Sequence, residues 1–193
     1  MALARNTNAI TTAREKVKPD RMNTDTSLHV DIDIRTNDWR EQHNNIEAIS
    51  RQALEMAWAA LDFPRRDYEV SLVLGDDEMQ RALNHQYLGK DLSTNVLSFP
   101  SDEANTCDFP MEVSLPLGDI IVAFETVKRE CEQEEVSFSD HFCHLVVHGM
   151  LHLAGFDHVL SVEAEAMEAL EIDILSKLGI NNPYADGILL DHG

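Results

Sequence analysis

Residues 148–158 read HGMLHLAGFDH and contain three histidines, His148, His152 and His158. Residues four apart on a helix lie on one face, so His148 and His152 can direct two imidazoles at one ion. Gly155 can adopt the left-handed conformation that ends a helix, which lets the chain turn back and bring in His158. Three imidazoles suit Zn²⁺ and leave one position for water or substrate. The spacing therefore predicts a catalytic zinc site with these histidines as ligands.

Two other residues of this region narrow the chemistry. Zinc proteases with the pattern HExxHxxGxxH use the glutamate as general base beside the metal. Gly149 occupies that position here and cannot take a proton, so peptide hydrolysis through the usual activation of water is disfavoured. A four-ligand structural zinc site is also disfavoured, because no cysteine lies at ligand spacing from the histidines. Cys143 is predicted to be a core residue.

Residues 148–158 keep the histidine and glycine spacing of these proteases but carry glycine in place of the glutamate. In this form they resemble the HGxLHLxGYDH signature of the YbeY family of bacterial rRNA maturation factors and endoribonucleases. Residues 83–100, LNHQYLGKDLSTNVLSFP, resemble the family's LNxxYRGKDxxTxVLSFP segment, and residues 117–120 resemble its LGDI strand. The similarity extends over residues 28–184. Phe156 replaces the family's tyrosine, and Leu88 replaces an arginine that is a candidate for phosphate contact, which leucine cannot make.

The resemblance implies a zinc-dependent endoribonuclease specific for single-stranded RNA. It implies a role in 16S rRNA 3′-end maturation and late-stage ribosome quality control. The expected partner is rRNA on the small ribosomal subunit, and DNA binding is not expected. Two alternatives stay open: a zinc peptidase that lacks the usual glutamate base, and a non-catalytic ribosome assembly factor with a zinc-stabilised fold, which Leu88 favours. One Zn²⁺ per chain is the predicted cofactor, although imidazole sites also bind nickel and copper strongly.

Further candidate residues flank the predicted ligands. Asp157 is the nearest carboxylate in sequence, and it serves either as a general base or as an acceptor that fixes the ring tautomer of a ligand histidine. His144 lies one turn before His148 on the same face, where it either contacts substrate and shuttles protons or supports the ligands from the core. His141 is interpreted as a surface residue. Lys90 is the cation nearest in sequence to the Leu88 position and is the predicted substrate-binding residue.

The charge of the chain is unusual for an RNA enzyme. The 193 residues fit one domain and carry 15 basic and 35 acidic residues, a net charge of −20. Residues 1–24 hold five of the basic and two of the acidic residues and are predicted to be a mobile tail. The remaining domain, residues 25–193, has 10 basic and 33 acidic residues and a net charge of about −23. Nucleic-acid affinity comes largely from basic surfaces. The acidic charge of the domain must therefore be offset by a local cationic cleft, by the basic tail or by presentation of RNA on a ribosomal particle.

The sequence also indicates where the protein works. No apolar run approaches the length of a membrane span and no signal peptide is apparent, so we expect a cytoplasmic protein without membrane association. Three cysteines, Cys107, Cys131 and Cys143, form no disulfide framework and are predicted to be reduced thiols.

Hydrophobic periodicity outlines the fold. Alternation predicts strands at residues 28–34 and 70–74, and short apolar segments predict two more at residues 96–99 and 118–122. Steps of three and four predict five helices, at residues 44–61, 77–88, 124–132, 139–154 and 161–178, with Asp76 capping the second and Gly89 ending it. Strands interleaved with helices and then consecutive helices predict a single α+β domain with a small mixed sheet. The resemblance implies a zincin-like arrangement, with the metal site on the penultimate helix and the following turn.

Overall fold

The computed structural model describes residues 27–64, 66–105, 113–157 and 161–185. The predicted tail, residues 1–24, lies outside the described residues, as do Cys107 and His158. No helix in the described parts of the chain is long and apolar enough to span a membrane.

A four-stranded mixed sheet forms the centre of the fold. Its strands, in chain order, are β1 (Leu28–Ile34), β2 (Tyr68–Gly75), β3 (Val96–Pro100) and β4 (Leu115–Ala123). The spatial order is β1-β2-β4-β3; β1 and β4 each run parallel to β2, while β3 pairs antiparallel with β4. The predicted α+β class with a small mixed sheet is confirmed, and β3 becomes one edge of the sheet.

Six α-helices accompany the sheet within the described ranges. They are α1 (Asp38–Gln42), α2 (Ile46–Ala60), α3 (Asp77–Leu88), α4 (Phe124–Glu134), α5 (Phe138–Leu153) and α6 (Ser161–Lys177). The five predicted helices appear, with ends that differ from the predicted ones by at most two residues. The short α1 was not predicted, and it forms because fully buried Trp39 packs against Phe124 and Phe142 and donates its indole N–H to the carbonyl oxygen of Gly75, 2.9 Å away.

The predicted boundaries of α3 are confirmed by its caps. The side chain of Asp76 accepts a hydrogen bond from the backbone N–H of Met79 at 2.8 Å, which satisfies one of the free donors of the first turn. Gly89 ends the helix in the left-handed conformation, with φ +68°. A second interaction joins α3 to α4, since Asp77 Oδ1 accepts hydrogen bonds from both the backbone and the hydroxyl of Thr126.

Helix α5 is the central helix of the core. It contacts β3 and β4 of the sheet and is surrounded by α2, α4 and α6. Nearly every side chain from His141 to Leu153 is buried, as expected for a helix enclosed on all sides. Cys143 belongs to this core as predicted, and burial raises the pKa of its thiol to about 12. Polar groups on such a helix must find partners inside the protein.

Candidate metal centre

Four histidines line one face of α5. His141, His144, His148 and His152 follow one another at helical steps of three or four residues, and the centroids of successive rings are 6.4, 6.3 and 4.6 Å apart. The first three are buried, with exposures of 4%, 1% and 5%, and His152 is half-buried near the C-terminal end of the helix. The face therefore forms a column of imidazoles that runs from the core towards the surface.

His148 and His152 direct their Nε2 atoms at each other across 3.0 Å. The Nδ1 atom of His148 lies 2.7 Å from Glu171 Oε1, and that of His152 lies 3.1 Å from the carbonyl oxygen of Phe156. A carboxylate and a carbonyl only accept hydrogen bonds, so each Nδ1 carries the proton and each Nε2 presents its lone pair towards the same point. A shared cation suits this arrangement, and metal-binding histidines commonly donate their other ring N–H in this way.

The turn after α5 has the predicted form. Gly155 has φ +82°, and the backbone N–H groups of Gly155 and Phe156 donate to the carbonyl oxygens of His152 and Leu151 at 2.9 and 3.0 Å. Phe156 is buried and anchors the turn. The reversal that the spacing required is therefore present. His158, the predicted third ligand, lies outside the described residues, and its role stays a prediction.

A buried carboxylate network surrounds His148. Among the residues that the structure describes, His144, His148 and Glu171 form a group whose ligand atoms all lie within 4.8 Å of one another, close enough to hold a metal ion. Tyr184 donates its hydroxyl hydrogen to Glu171 Oε2, and the same hydroxyl oxygen lies 3.1 Å from His144 Nε2. His144 Nε2 is also 3.5 Å from Glu171 Oε2.

Distances separate the ligand pair from the supporting network. Tetrahedral ligands with bonds of about 2.0–2.1 Å lie about 3.3 Å from each other. The 2.7 Å between His148 Nδ1 and Glu171 Oε1 is a hydrogen-bond length, whereas the 3.0 Å between the Nε2 atoms of His148 and His152 is closer to a ligand pair. The geometry therefore favours Glu171 as a hydrogen-bond partner of the ligand His148, and not as a metal ligand itself.

Electrostatics assign protonation states to Glu171, His144 and Tyr184. Burial alone would raise the pKa of the Glu171 carboxyl, but hydrogen bonds with His144 and His148 outweigh it and hold the pKa well below its usual value. Burial lowers the pKa of His144, against the opposing influence of Glu171. Burial and the Glu171 charge together raise the pKa of Tyr184. The network thus holds an ionised carboxylate between a neutral imidazole and a neutral phenol.

The remaining predicted residues lie at different distances from the surface. Asp157 is exposed directly after the Phe156 anchor, and Lys90 is exposed just beyond the end of α3. His144 is buried, which favours support of the ligands over direct contact with substrate. Leu88 is the last residue of α3. The interpretation of His141 as a surface residue is wrong, because its ring is enclosed and its Nε2 lies 2.8 Å from Glu130 Oε2.

Gly149 faces the sheet. A Cβ atom built at this position would lie 2.8 Å from Ile120 Cγ2 and 3.0 Å from Ser98 Oγ. The Ser98 hydroxyl also donates to the carbonyl oxygen of Gly149 at 3.3 Å, so helix and strand are in direct contact here. A peptidase glutamate has no space at this position and would point into the sheet.

Sequence reasoning missed Glu171 and Tyr184. Glu171 lies within the apolar stripe of α6 that Met167, Leu170 and Ile174 mark, and an acidic residue in such a stripe signals a buried carboxylate with a partner. Tyr184 has no comparable signal, because it lies beyond the last helix and reaches the site only through tertiary packing.

The fold and the site together define an α+β protein whose buried helix carries a histidine group suited to a metal ion. The chain belongs to the endoribonuclease YbeY family, whose model matches residues 31–179. It is 41% identical to the endoribonuclease YbeY of Paramagnetospirillum magneticum over 160 residues, 83% of this chain and 98% of that protein. It is 40% identical to that of Sinorhizobium fredii over 172 residues, 86% and 97% of the two chains.

A solution structure of a Thermotoga maritima protein is also similar. It is 20% identical, has a TM-score of 0.47, and the match covers 78% of this chain and 92% of that one.

Proposed function

We propose that this protein is a zinc-dependent endoribonuclease that cleaves single-stranded RNA. Its proposed substrate is rRNA on the small ribosomal subunit, during 16S rRNA 3′-end maturation and late-stage quality control, which places the activity in the cytoplasm. Membership of the endoribonuclease YbeY family supports the reaction class. The observation that carries the proposal is the convergence of the Nε2 atoms of His148 and His152, with each Nδ1 held by an acceptor.

Three histidines are the proposed ligands of one zinc ion: His148, His152 and His158. Imidazole nitrogens are typical zinc ligands, and a site with three protein ligands leaves a position for a reactant. When bound, zinc activates water and stabilises negative charge on a phosphoryl oxygen. His148 and His152 are already oriented by their Nδ1 hydrogen bonds, which reduces the reorganisation that binding requires.

Exposed residues near the ends of α5 and α3 are proposed to accept the proton and to contact the phosphate. Asp157 follows the turn that anchors His152 and is exposed to solvent, so it can accept a proton from water or from a ribose hydroxyl. Lys90 is the proposed phosphate contact. Arg81 is already engaged in a two-pronged ion pair with Asp91, the residue after Lys90, at 2.6 and 2.7 Å. His144 supports the site from the core.

The net negative charge of the domain disfavours binding of RNA, so further phosphate contacts are needed. We propose two regions, a basic tail at residues 1–24 that adds phosphate contacts and a catalytic domain at residues 25–193. Weak affinity of the domain for free RNA suits an enzyme that receives its substrate on a ribosomal particle, because nucleic-acid affinity is dominated by phosphate contacts.

The test compares cleavage of precursor 16S rRNA by the wild type, His152→Ala and His29→Ala. His29 is exposed on β1, the sheet edge opposite β3, and serves as the control for loss of a histidine. We expect cleavage by the wild type and His29→Ala and none by a folded His152→Ala, with about one equivalent of zinc in the purified wild type. Equal or absent cleavage in the wild type and His152→Ala would remove the nuclease assignment. Absent cleavage with bound zinc would favour an assembly factor, and chelator-sensitive cutting of casein would favour a peptidase.

A further inference from the structure

We infer that Glu171 and Tyr184 are positioning residues of the metal centre, which act through His148. The inference rests on the proposed metal site, but it concerns metal binding and does not depend on which substrate is cleaved. It makes two segments far from the histidine motif, α6 and the turn at residues 183–185, parts of the same site.

The burial of Glu171 calls for a specific role. Its side chain is fully buried, and an ionised carboxylate in the core is costly unless charged or polar groups satisfy it. Here both oxygens are satisfied, Oε1 by the ring N–H of His148 at 2.7 Å and Oε2 by the Tyr184 hydroxyl. The carboxylate therefore fixes the tautomer in which His148 Nε2 carries the lone pair and faces His152.

Tyr184 gives the network its direction. Its single hydroxyl proton goes to Glu171, so its oxygen accepts the N–H of His144 across 3.1 Å. The chain of donors thus runs from His144 through Tyr184 to Glu171, while His148 donates to the other carboxylate oxygen. Hydrogen bonds in such a chain polarise one another, and the negative charge beside Nδ1 makes Nε2 a stronger ligand.

Local structure brings Tyr184 to this place. After α6, the backbone N–H of Ile180 donates to the carbonyl oxygen of Leu175 at 2.9 Å, which closes the helix end. Asn182 Oδ1 then accepts the backbone N–H of Tyr184 at 2.8 Å and forms a turn. The turn returns the phenol ring to α5, where it packs edge-on against His144 with a centroid distance of 5.5 Å.

The experiment measures zinc affinity of the full-length chain by chelator competition in four proteins. They are the wild type, Glu171→Gln, Tyr184→Phe and Glu130→Gln. Glu130, on α4, is a matched control, because it lies 2.8 Å from the ring of His141 on α5 but is not a hydrogen-bond partner of His148 or His152. Loss of this kind of support typically weakens metal binding by 10–100-fold. We expect a loss of about that size for Glu171→Gln, a smaller loss for Tyr184→Phe and wild-type affinity for Glu130→Gln.

Two further readouts separate positioning from a general effect on folding. The visible absorption of the Co²⁺-loaded protein should change in Glu171→Gln and Tyr184→Phe and stay unchanged in Glu130→Gln. The thermal midpoint of each metal-free protein shows how much of the effect is structural. Zinc affinity within twofold of the wild type in both Glu171→Gln and Tyr184→Phe, or an equal loss in Glu130→Gln, would overturn the inference.

The same proteins distinguish this inference from the proposed function. If Glu171→Gln weakens zinc binding while the wild type fails to cut rRNA, the positioning role stands and the nuclease assignment falls. If the wild type cuts rRNA and zinc affinity is unaffected by both substitutions, the assignment stands and the positioning role falls. Should Glu171→Gln fail to fold, Tyr184→Phe alone decides, because it removes one oxygen and keeps the ring.

Discussion

Substitution of Gly149 by alanine should destabilise the protein, against the ordinary preference of helices. Alanine in a helix is favoured over glycine by about 1 kcal/mol. At this position the new methyl group would lie 2.8 Å from Ile120 Cγ2 and 3.0 Å from Ser98 Oγ, and Ile120 is fully buried on β4. Overpacking of a core typically costs about 1–3 kcal/mol. The expected balance is a loss of up to about 2 kcal/mol in the free energy of unfolding.

Urea unfolding of the metal-free protein, followed by circular dichroism, measures this loss as a lower midpoint at constant slope. A double-mutant cycle with Ile120→Ala tests the cause, since removing the crowded side chain should make Gly149→Ala neutral or stabilising. A gain in stability of about 1 kcal/mol for Gly149→Ala in the wild-type background, the value for an uncrowded helix position, would refute the proposed close packing. Gly149→Glu, which restores the peptidase motif, should destabilise more strongly and generate no peptidase activity.

Three further outcomes follow from the site. Metal-free protein should lose stability as the pH falls below about 6.5, because burial holds the pKa of His144 below that ordinary value and the unfolded chain takes up the proton first. Thermal midpoints measured between about pH 7 and 5 test this expectation. An equally steep loss of stability in His144→Gln would contradict it. Removal of metal with a chelator should lower the thermal midpoint of the wild type but leave His152→Ala unchanged, whereas equal shifts would exclude His152 as a ligand. Leu88→Arg should raise the rate of RNA cleavage by up to about 100-fold; an unchanged or lower rate in a single-turnover assay would show that the arginine role does not transfer to this chain.

Most of the sheet and of the five longer helices could be predicted because burial of one face leaves a period of two or of about 3.6 residues in the sequence, while the fully buried parts of α5 and β4 appear as apolar runs. Helix α1 could not be predicted in this way. It has five residues, and only the fully buried Trp39 ties it to the core. Its formation depends on aromatic partners from α4 and α5, which no local pattern encodes.

The same distinction applies to the metal centre. His148 and His152 could be paired from the sequence because one turn of helix relates them, and the turn at Gly155 is also local. Glu171 lies 23 residues from the histidine that it supports, and Tyr184 lies 40 residues from His144. Their positions depend on how α6 packs against α5, so spacing alone could not assign them. His141 was misplaced for a related reason, since its partner Glu130 belongs to the neighbouring helix α4.

The position of the buried carboxylate also bears on the reaction. In a zinc peptidase the glutamate after the first histidine takes a proton from water. Here position 149 faces the sheet, and Glu171 is fully buried with both oxygens engaged, so it cannot accept a proton from water at the surface of the site. A proton acceptor for the proposed phosphodiester cleavage must therefore come from another residue, one that water can reach. Asp157, exposed beyond the turn that anchors His152, meets that requirement, and we propose it as the base on this ground.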